Sequence, residues 1–319
     1  MAHPFRLSLA TLALILLQGC SQTNLGRTLR ENAPAPPAAP RILAVYEPWF
    51  GHPQHINVGY SSQDPVVIRK QIEQAKSLGI SGFVVDWYGD REPFLDKAYA
   101  LVSAIAAEQN FTVAMMYDET DQGGEQATED ALVAFDKFRK QYLAPGTPSR
   151  EAYLMYQGRP VIFIFPKGGH TDWKRVRAET SKWNPPPLLL SEYRPDSPAT
   201  AFDGFYAWVN PGSKGWTADG SNWGEDYLRD FYRTMQMKYS DKIAVGAAWP
   251  GFDDKKASWS LGRYMSQRCG RTLADTMRLS RDYYTADRPL PFLLIATWND
   301  YEEGTAIERG LAKCGAPSR

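Results

Sequence analysis

Late in the chain an apolar stretch, Leu294 to Thr297, runs straight into Trp298, Asn299, Asp300, Tyr301, Glu302 and Glu303. Asp300 and Glu303, set among an indole, an amide and a phenol, suit chemistry that needs one protonated and one ionised acid. Cleavage of a glycosidic bond is such chemistry. One carboxyl protonates the leaving oxygen while an ionised one assists attack, and apolar rings raise the acid's pKa by desolvation. A plainer reading has Asp300 and Glu303 capping and charging a short helix after the strand. That reading accounts for the acids but not for Trp298, Asn299 and Tyr301 interleaved with them.

Earlier apolar runs end in the same way. Glu47 and Trp49 follow the first, Asp86, Trp87 and Tyr88 the second, and Tyr117, Asp118 and Glu119 the third. Glu192, Trp208 and Trp249 close three later runs. Solvation alone explains one polar strand end, not a whole set. Glu47, Asp86 and Glu192 are expected to bind sugar hydroxyls, and Trp87, Trp208, Trp249 and Tyr301 to shape subsites. Trp49, Tyr88, Tyr117, Asp118, Trp298 and Asn299 complete the expected substrate-binding set. The chain holds ten Trp, seventeen Tyr and fourteen Phe, and such rings stack on the apolar faces of sugars.

Other chemistries find little support. Four His are present and His3 falls in a leader-like segment, so no metal or cofactor is expected. His52 and His55 share a loop after the first strand, where they line a cleft or bond locally; His170 reads as a loop imidazole. No G-x-S-x-G elbow occurs. The 36 basic and 36 acidic residues cancel, and no basic run invites nucleic acid. The acid- and ring-rich loop Trp249–Ser260 either folds over the cleft or is a solvated insertion.

The elements that would position these groups alternate between strand and helix. Strands are expected at Arg41–Glu47, Ser81–Gly89, Phe111–Glu119, Pro160–Phe165, Pro187–Glu192, Gly204–Val209, Lys242–Trp249 and Phe292–Trp298. Helical periodicity falls between most of them. The first helix opens at Asp64 and Pro65, with Ile68, Ile72, Ala75 and Leu78 facing inward. Later helices run through Phe94 to Ile105, Leu132 to Tyr142, around Trp173, through Leu228 to Met235, and near Leu273 and Met277. Eight strands with intervening helices predict a single (β/α)8 TIM barrel over residues 41–319, with active groups at the C-terminal strand ends. Tyr193–Asp203 carries two prolines and leaves little room for a crossover helix. A doubly wound sheet is the alternative, though no Gly-rich phosphate loop follows the first strand.

Residues 1–20 read as a lipoprotein-type signal peptide. A basic start precedes the apolar run Leu7–Leu17, and Leu17 to Cys20 resembles the bacterial lipobox, with Cys20 as the lipidated residue. Residues 21–40, rich in Pro and Ala, form a tether. The expected location is the bacterial cell envelope, with a lipid anchor holding the protein to the membrane; simple secretion is the alternative. Export leaves open a disulfide between Cys269 and Cys314.

The stretch Trp298–Glu308 resembles the closing-strand motif of glycoside hydrolase family 99, the endo-α-mannosidases and their relatives. Gly79–Gly89 and Phe202–Trp208 are similar to that family's second and sixth strands, and Trp298–Tyr301 also resembles family 71, the α-1,3-glucanases. The resemblance implies a (β/α)8 barrel that cleaves α-linked sugars without metal and with retention, the substrate's 2-hydroxyl attacking under base assistance. It places the acid/base on Glu303 and the assisting carboxylate on Asp300, where the family has a Glu one methylene longer. The expected function is a cell-envelope glycoside hydrolase acting on an α-linked polysaccharide or glycan of mannan or glucan type. The alternative is a non-catalytic, lipid-anchored glycan-binding or polysaccharide-assembly protein on a degenerate barrel.

Overall fold

The computed structural model describes residues 39–312 apart from Gly169. The signal peptide with Cys20, nearly all of the tether, and Cys314 lie outside the described residues.

Eight strands build the barrel: β1 (Arg41–Tyr46), β2 (Gly82–Trp87), β3 (Thr112–Asp118), β4 (Arg159–Phe165), β5 (Leu188–Glu192), β6 (Gly204–Tyr206), β7 (Ile243–Ala248) and β8 (Phe292–Ile295). Each pairs in parallel with the next, and β8 returns to β1 with Arg41 opposite Phe292. The sheet is therefore closed, which removes the doubly wound alternative. Helices α1 (Pro65–Ser77), α2 (Pro93–Glu108), α3 (Gly124–Tyr142), α4 (Trp173–Thr180), α5 (Glu225–Met237) and α6 (Arg271–Leu279) lie between the strands. Asp64 caps α1 by accepting the Val66 N–H at 2.8 Å, and Pro65 takes the first turn, where its missing N–H is harmless. No described helix is long and apolar enough to cross a membrane.

Successive side chains on a strand point to opposite faces, so each strand feeds two cores. Leu43, Val45, Val84, Met116, Phe163, Leu190, Tyr206 and Leu294 belong to the set that fills the barrel interior. Their neighbours Ala44, Tyr46, Phe83, Val85, Met115, Ile162 and Leu189 pack outward under the helices. Because both faces are buried, the strands read in sequence as unbroken apolar runs.

Most strands are a residue or two shorter than expected, and two end earlier still. The sixth strand stops at Tyr206 and the eighth at Ile295, where the ladders end. Leu78 is 61% exposed, because α1 ends at Ser77 and Leu78 lies just past it. The proline-bearing link from β5 to β6 contains only a 3₁₀ turn at Ala199–Ala201. The neighbouring helix closes that gap. Arg177 of α4 donates to the Ala201 carbonyl (2.9 Å) and pairs with Asp203, which in turn accepts the Leu189 N–H (2.8 Å). Phe202 tucks against Trp173 of α4, ring centres 5.8 Å apart.

The tightest closure lies between β6 and β7. A Cβ on Gly204 would sit 2.2 Å from the Ile243 carbonyl oxygen, which belongs to backbone and has little freedom to yield. Gly204→Ala is expected to lower the unfolding free energy by about 3 kcal/mol, the upper part of the usual overpacking range. Thermal unfolding would register this as a drop of several degrees in Tm.

Candidate active site

Strand alternation carries the inward set one step past the ladders. Glu47 beyond β1, Asp86 on β2 and Tyr88 just past it, Met116 and Asp118 on β3, Phe165 on β4 and Trp208 beyond β6 all line one cavity of about 500 Å³ at the C-terminal ends of the strands. Trp49 and His55 from the loop after β1, Asp121, Lys167, and Trp259 and Arg263 from the loop after β7 add to the wall. Asp300 and Glu303, from the turn after β8, complete it.

That turn sorts its acids by direction. It is a turn rather than the helix that plain capping would need, and Asp300 holds it closed. Asp300 Oδ1 accepts the N–H groups of Glu302 and Glu303, both at 2.9 Å, while its own N–H donates to Thr297 Oγ1 at 2.8 Å. Glu302 turns away from the cavity. Its Oε1 accepts the Ile56 N–H (3.0 Å), and its Oε2 lies 2.8 Å from His55 Nδ1. The His55 ring stacks nearly parallel on Trp49 at 4.8 Å. Glu303 turns inward, where Oε1 accepts the Trp259 indole N–H at 2.9 Å and lies 3.8 Å from the Arg263 guanidinium.

Burial sets the electrostatics. It pushes the Glu303 carboxyl above the ordinary range, with the Trp259 N–H and Arg263 pulling it back. Asp300 is raised well above it by burial and then by the charge of Glu303, against the two amide N–H groups. Glu47 is raised by burial and then by Asp86, Asp300, Glu303 and Asp118. Asp86 is raised by burial and then by Asp118. Burial pushes Asp118 up to about 6 even though Lys167 Nζ is 2.8 Å away. Such a cluster holds fewer charges than carboxyls, and its members titrate together.

The structure thus brings Glu303, Asp300, Glu47, Trp49, Asp86, Tyr88, Asp118 and Trp208 to one cavity, and it moves the other expected residues off the wall. Trp87 and Tyr117 have the opposite strand parity and face the helices. Trp87 packs on Phe138 (5.2 Å) and donates to Asp96 Oδ1 (3.1 Å), and Tyr117 packs on Phe135 (5.2 Å). Trp249 is buried in the outer core, its indole N–H donating to the Trp223 carbonyl at 3.0 Å. Trp298 leaves β8 after the ladder has ended and packs on Phe83, ring centres 5.4 Å apart. Tyr301 donates to Glu308 Oε2 (2.6 Å) with its ring against Phe50. Glu192 pairs with Arg194 at 3.1 Å, off the cavity wall. Asn299 braces the site rather than lining it. Its amide accepts the Glu47 N–H (2.8 Å) and donates to the Glu47 carbonyl (2.9 Å), tying the end of β1 to that of β8.

Met116, Phe165, Asp121, Lys167 and Arg263 were not expected on the wall, and Trp259 lay unremarked inside the loop expected to cover the cleft. Parity alone would have found Met116, two residues before Asp118, and Phe165, two beyond inward-facing Phe163. Lys167 carries no sequence signal. It is placed by fully buried Glu119, which accepts the Lys167 and Thr171 N–H groups at 2.6 and 2.8 Å. Among the described residues no group of three or more His, Cys, Asp or Glu is arranged to hold a metal ion. Cys269 is disulfide-bonded; Cys20 and Cys314 both lie outside the described residues.

No protein-family model matches this chain, and no curated protein matches it either. Solved structures do. The family 99 endo-α-mannosidase from Bacteroides thetaiotaomicron, solved alone and in complex with bis-tris propane, superposes with a TM-score of 0.64 in both forms. Identity is 18% and 17%, over 84% of this chain and 87% and 86% of that one. A protein described as glycoside hydrolase-like matches at TM-score 0.56 and 13% identity, over 87% of this chain and 90% of the other. At such identities the likeness establishes the fold: a (β/α)8 barrel like that of family 99.

Asp118 gives the site a signature in stability. In the folded protein its carboxyl keeps a proton up to about pH 6, whereas at its ordinary pKa of 3.8 the unfolded chain has already lost it. The native state therefore binds more protons in this window, and stability falls as pH rises from about 4 through 6. Asp118→Asn is expected to make that fall shallower by about 3 kcal/mol across the window. Chemical unfolding at a series of pH values checks it.

Proposed function

We propose that this protein is a glycoside hydrolase that cleaves α-linked polysaccharide or glycan, with Glu303 as general acid and then base and Asp300 as the assisting carboxylate. The observation carrying this reading is that both residues come from one turn after β8 and face the cavity that Glu47, Asp86, Asp118 and Trp208 also line. One acid must carry a proton while its neighbour does not. Burial together with mutual repulsion favours a single proton shared between Asp300 and Glu303, as two adjacent carboxylates cannot both ionise freely. Oδ1 of Asp300 is fixed by two amide N–H groups, which hold the carboxyl's position. Trp49, Tyr88 and Trp208 put aromatic rings on the cavity wall, where a sugar's apolar face can pack.

A second reading keeps the cavity and drops the chemistry, leaving a glycan-binding or polysaccharide-assembly protein. It is favoured by one observation: both carboxyls are already engaged, Asp300 in closing its turn and Glu303 with the Trp259 N–H. The two readings separate on α-mannan and α-glucan oligosaccharides. Catalysis predicts released sugar from the wild type, a loss of roughly a thousandfold in kcat for Glu303→Gln, and an unchanged ligand Kd. Binding alone predicts no released sugar from either protein and equal affinities.

We propose further that the protein acts in the cell envelope, anchored through Cys20 as the lipobox-like stretch suggests. Full-length protein expressed in a bacterium is then expected to carry the mass of a diacylglycerol-modified Cys20 and to sediment with membranes. Cys20→Ser is expected to abolish both, and soluble, unmodified wild type would refute the anchor.

A further inference from the structure

The cavity wall carries more carboxyl groups than its own cations can pair. Its bases are Lys167 and Arg263, beside His55. Lys167 is taken by Asp118 at 2.8 Å, and Arg263 binds Asp254 at 2.7 Å, nearer than it approaches Glu303. Among the described residues no Lys, Arg or His lies within ion-pair distance of Glu47, Asp86 or Asp300. Asp300 receives two amide N–H groups, and Asp86 has hydrogen bonds from Tyr88 and the Trp87 backbone and feels the charge of Lys167.

Glu47 is the sharpest case. It is only 4% exposed, it lines the cavity from the end of β1, and its Oε2 has no hydrogen-bond partner. Asn299 grips its N–H and its carbonyl together, so the backbone cannot shift to find the carboxyl a donor. Asp86 on the next strand is the charge that weighs most on it. A buried carboxylate oxygen left without a donor costs free energy, and a ligand that brings one recovers it. A sugar hydroxyl supplies a donor but leaves the local charge unanswered. A protonated amine supplies donor and countercharge at once, and the rings of Trp49, Tyr88 and Trp208 tolerate a cation near their faces.

We propose that the cavity recognises a sugar bearing a free, unacylated amino group, with the ammonium seated between Glu47 and Asp86. This rests on the sugar-binding reading above and names its substrate class. The test titrates the full-length protein calorimetrically at neutral pH with glucosamine and mannosamine, each against its parent hexose and its N-acetyl derivative. The amino sugars are expected to bind on the order of tenfold or more tightly than either comparator. Glu47→Gln and, independently, Asp86→Asn are expected to erase the difference. The wild-type comparison needs no variant, so a misfolded mutant does not stall the test. Equal binding of amine and parent, no binding of any probe, or a preference surviving both substitutions overturns the proposal. Binding is read without turnover. A preference in a protein that hydrolyses nothing would sink only the hydrolase reading, and hydrolysis of neutral glycosides without the preference would sink only this one.

Discussion

The side-chain amide of Asn299, bonded to both backbone groups of Glu47, joins the first and last strands where the barrel closes. A barrel needs its last strand to find its first across nearly the whole chain, and backbone pairing between them covers only Arg41 to Ala44 against Phe292 to Ile295. Beyond that ladder the chains diverge, and the Trp298 N–H to Val45 carbonyl bond (2.6 Å) and the Asn299 clamp carry the alignment onward. The candidate acids just past β1 and after β8 keep their relative positions because of this joint. Both groups it satisfies are buried main-chain groups, which cost free energy if left unpaired.

The fold was legible because barrel strands buried on both faces announce themselves as short apolar runs between helical stretches. That same burial hid which residues face the cavity. In Asp86, Trp87 and Tyr88 the sequence offers three chemically apt side chains, and strand parity admits only the first and third. Tyr117 fails for the same reason. After β8 parity no longer applies, since the ladder has stopped, and the fates of Trp298 through Glu303 depend on a turn whose geometry composition does not encode. Lys167 was invisible for another reason: it is placed by Glu119 through backbone bonds, so nothing about its own neighbours marks it. Glu119, by contrast, was noticed as an acid at a strand end, yet its work is structural.

The cavity is electrostatically uncomfortable. Glu47, Asp86, Asp118, Asp300 and Glu303 repel one another in surroundings that solvate charge poorly, and every one of them is held above its ordinary pKa. The barrel interior and the aromatic layer under the helices supply the surplus that tolerates this. Local instability concentrated at one mouth, on a scaffold stable elsewhere, is the usual signature of a site kept for chemistry or recognition rather than for folding.

The turn after β8 sends adjacent residues in opposite directions, Glu302 to brace the loop after β1 and Glu303 to the cavity. Which glutamate braces and which faces the cavity is decided by count along the chain, not by side-chain type, because the two are identical. One residue inserted or deleted between Thr297 and Glu303 would put one glutamate in the other's place and leave the second position without a carboxyl, while substitutions at the flanking positions leave the count intact. Information at this corner resides in spacing. Much of such a segment can be rewritten with its layout kept, provided its length is kept.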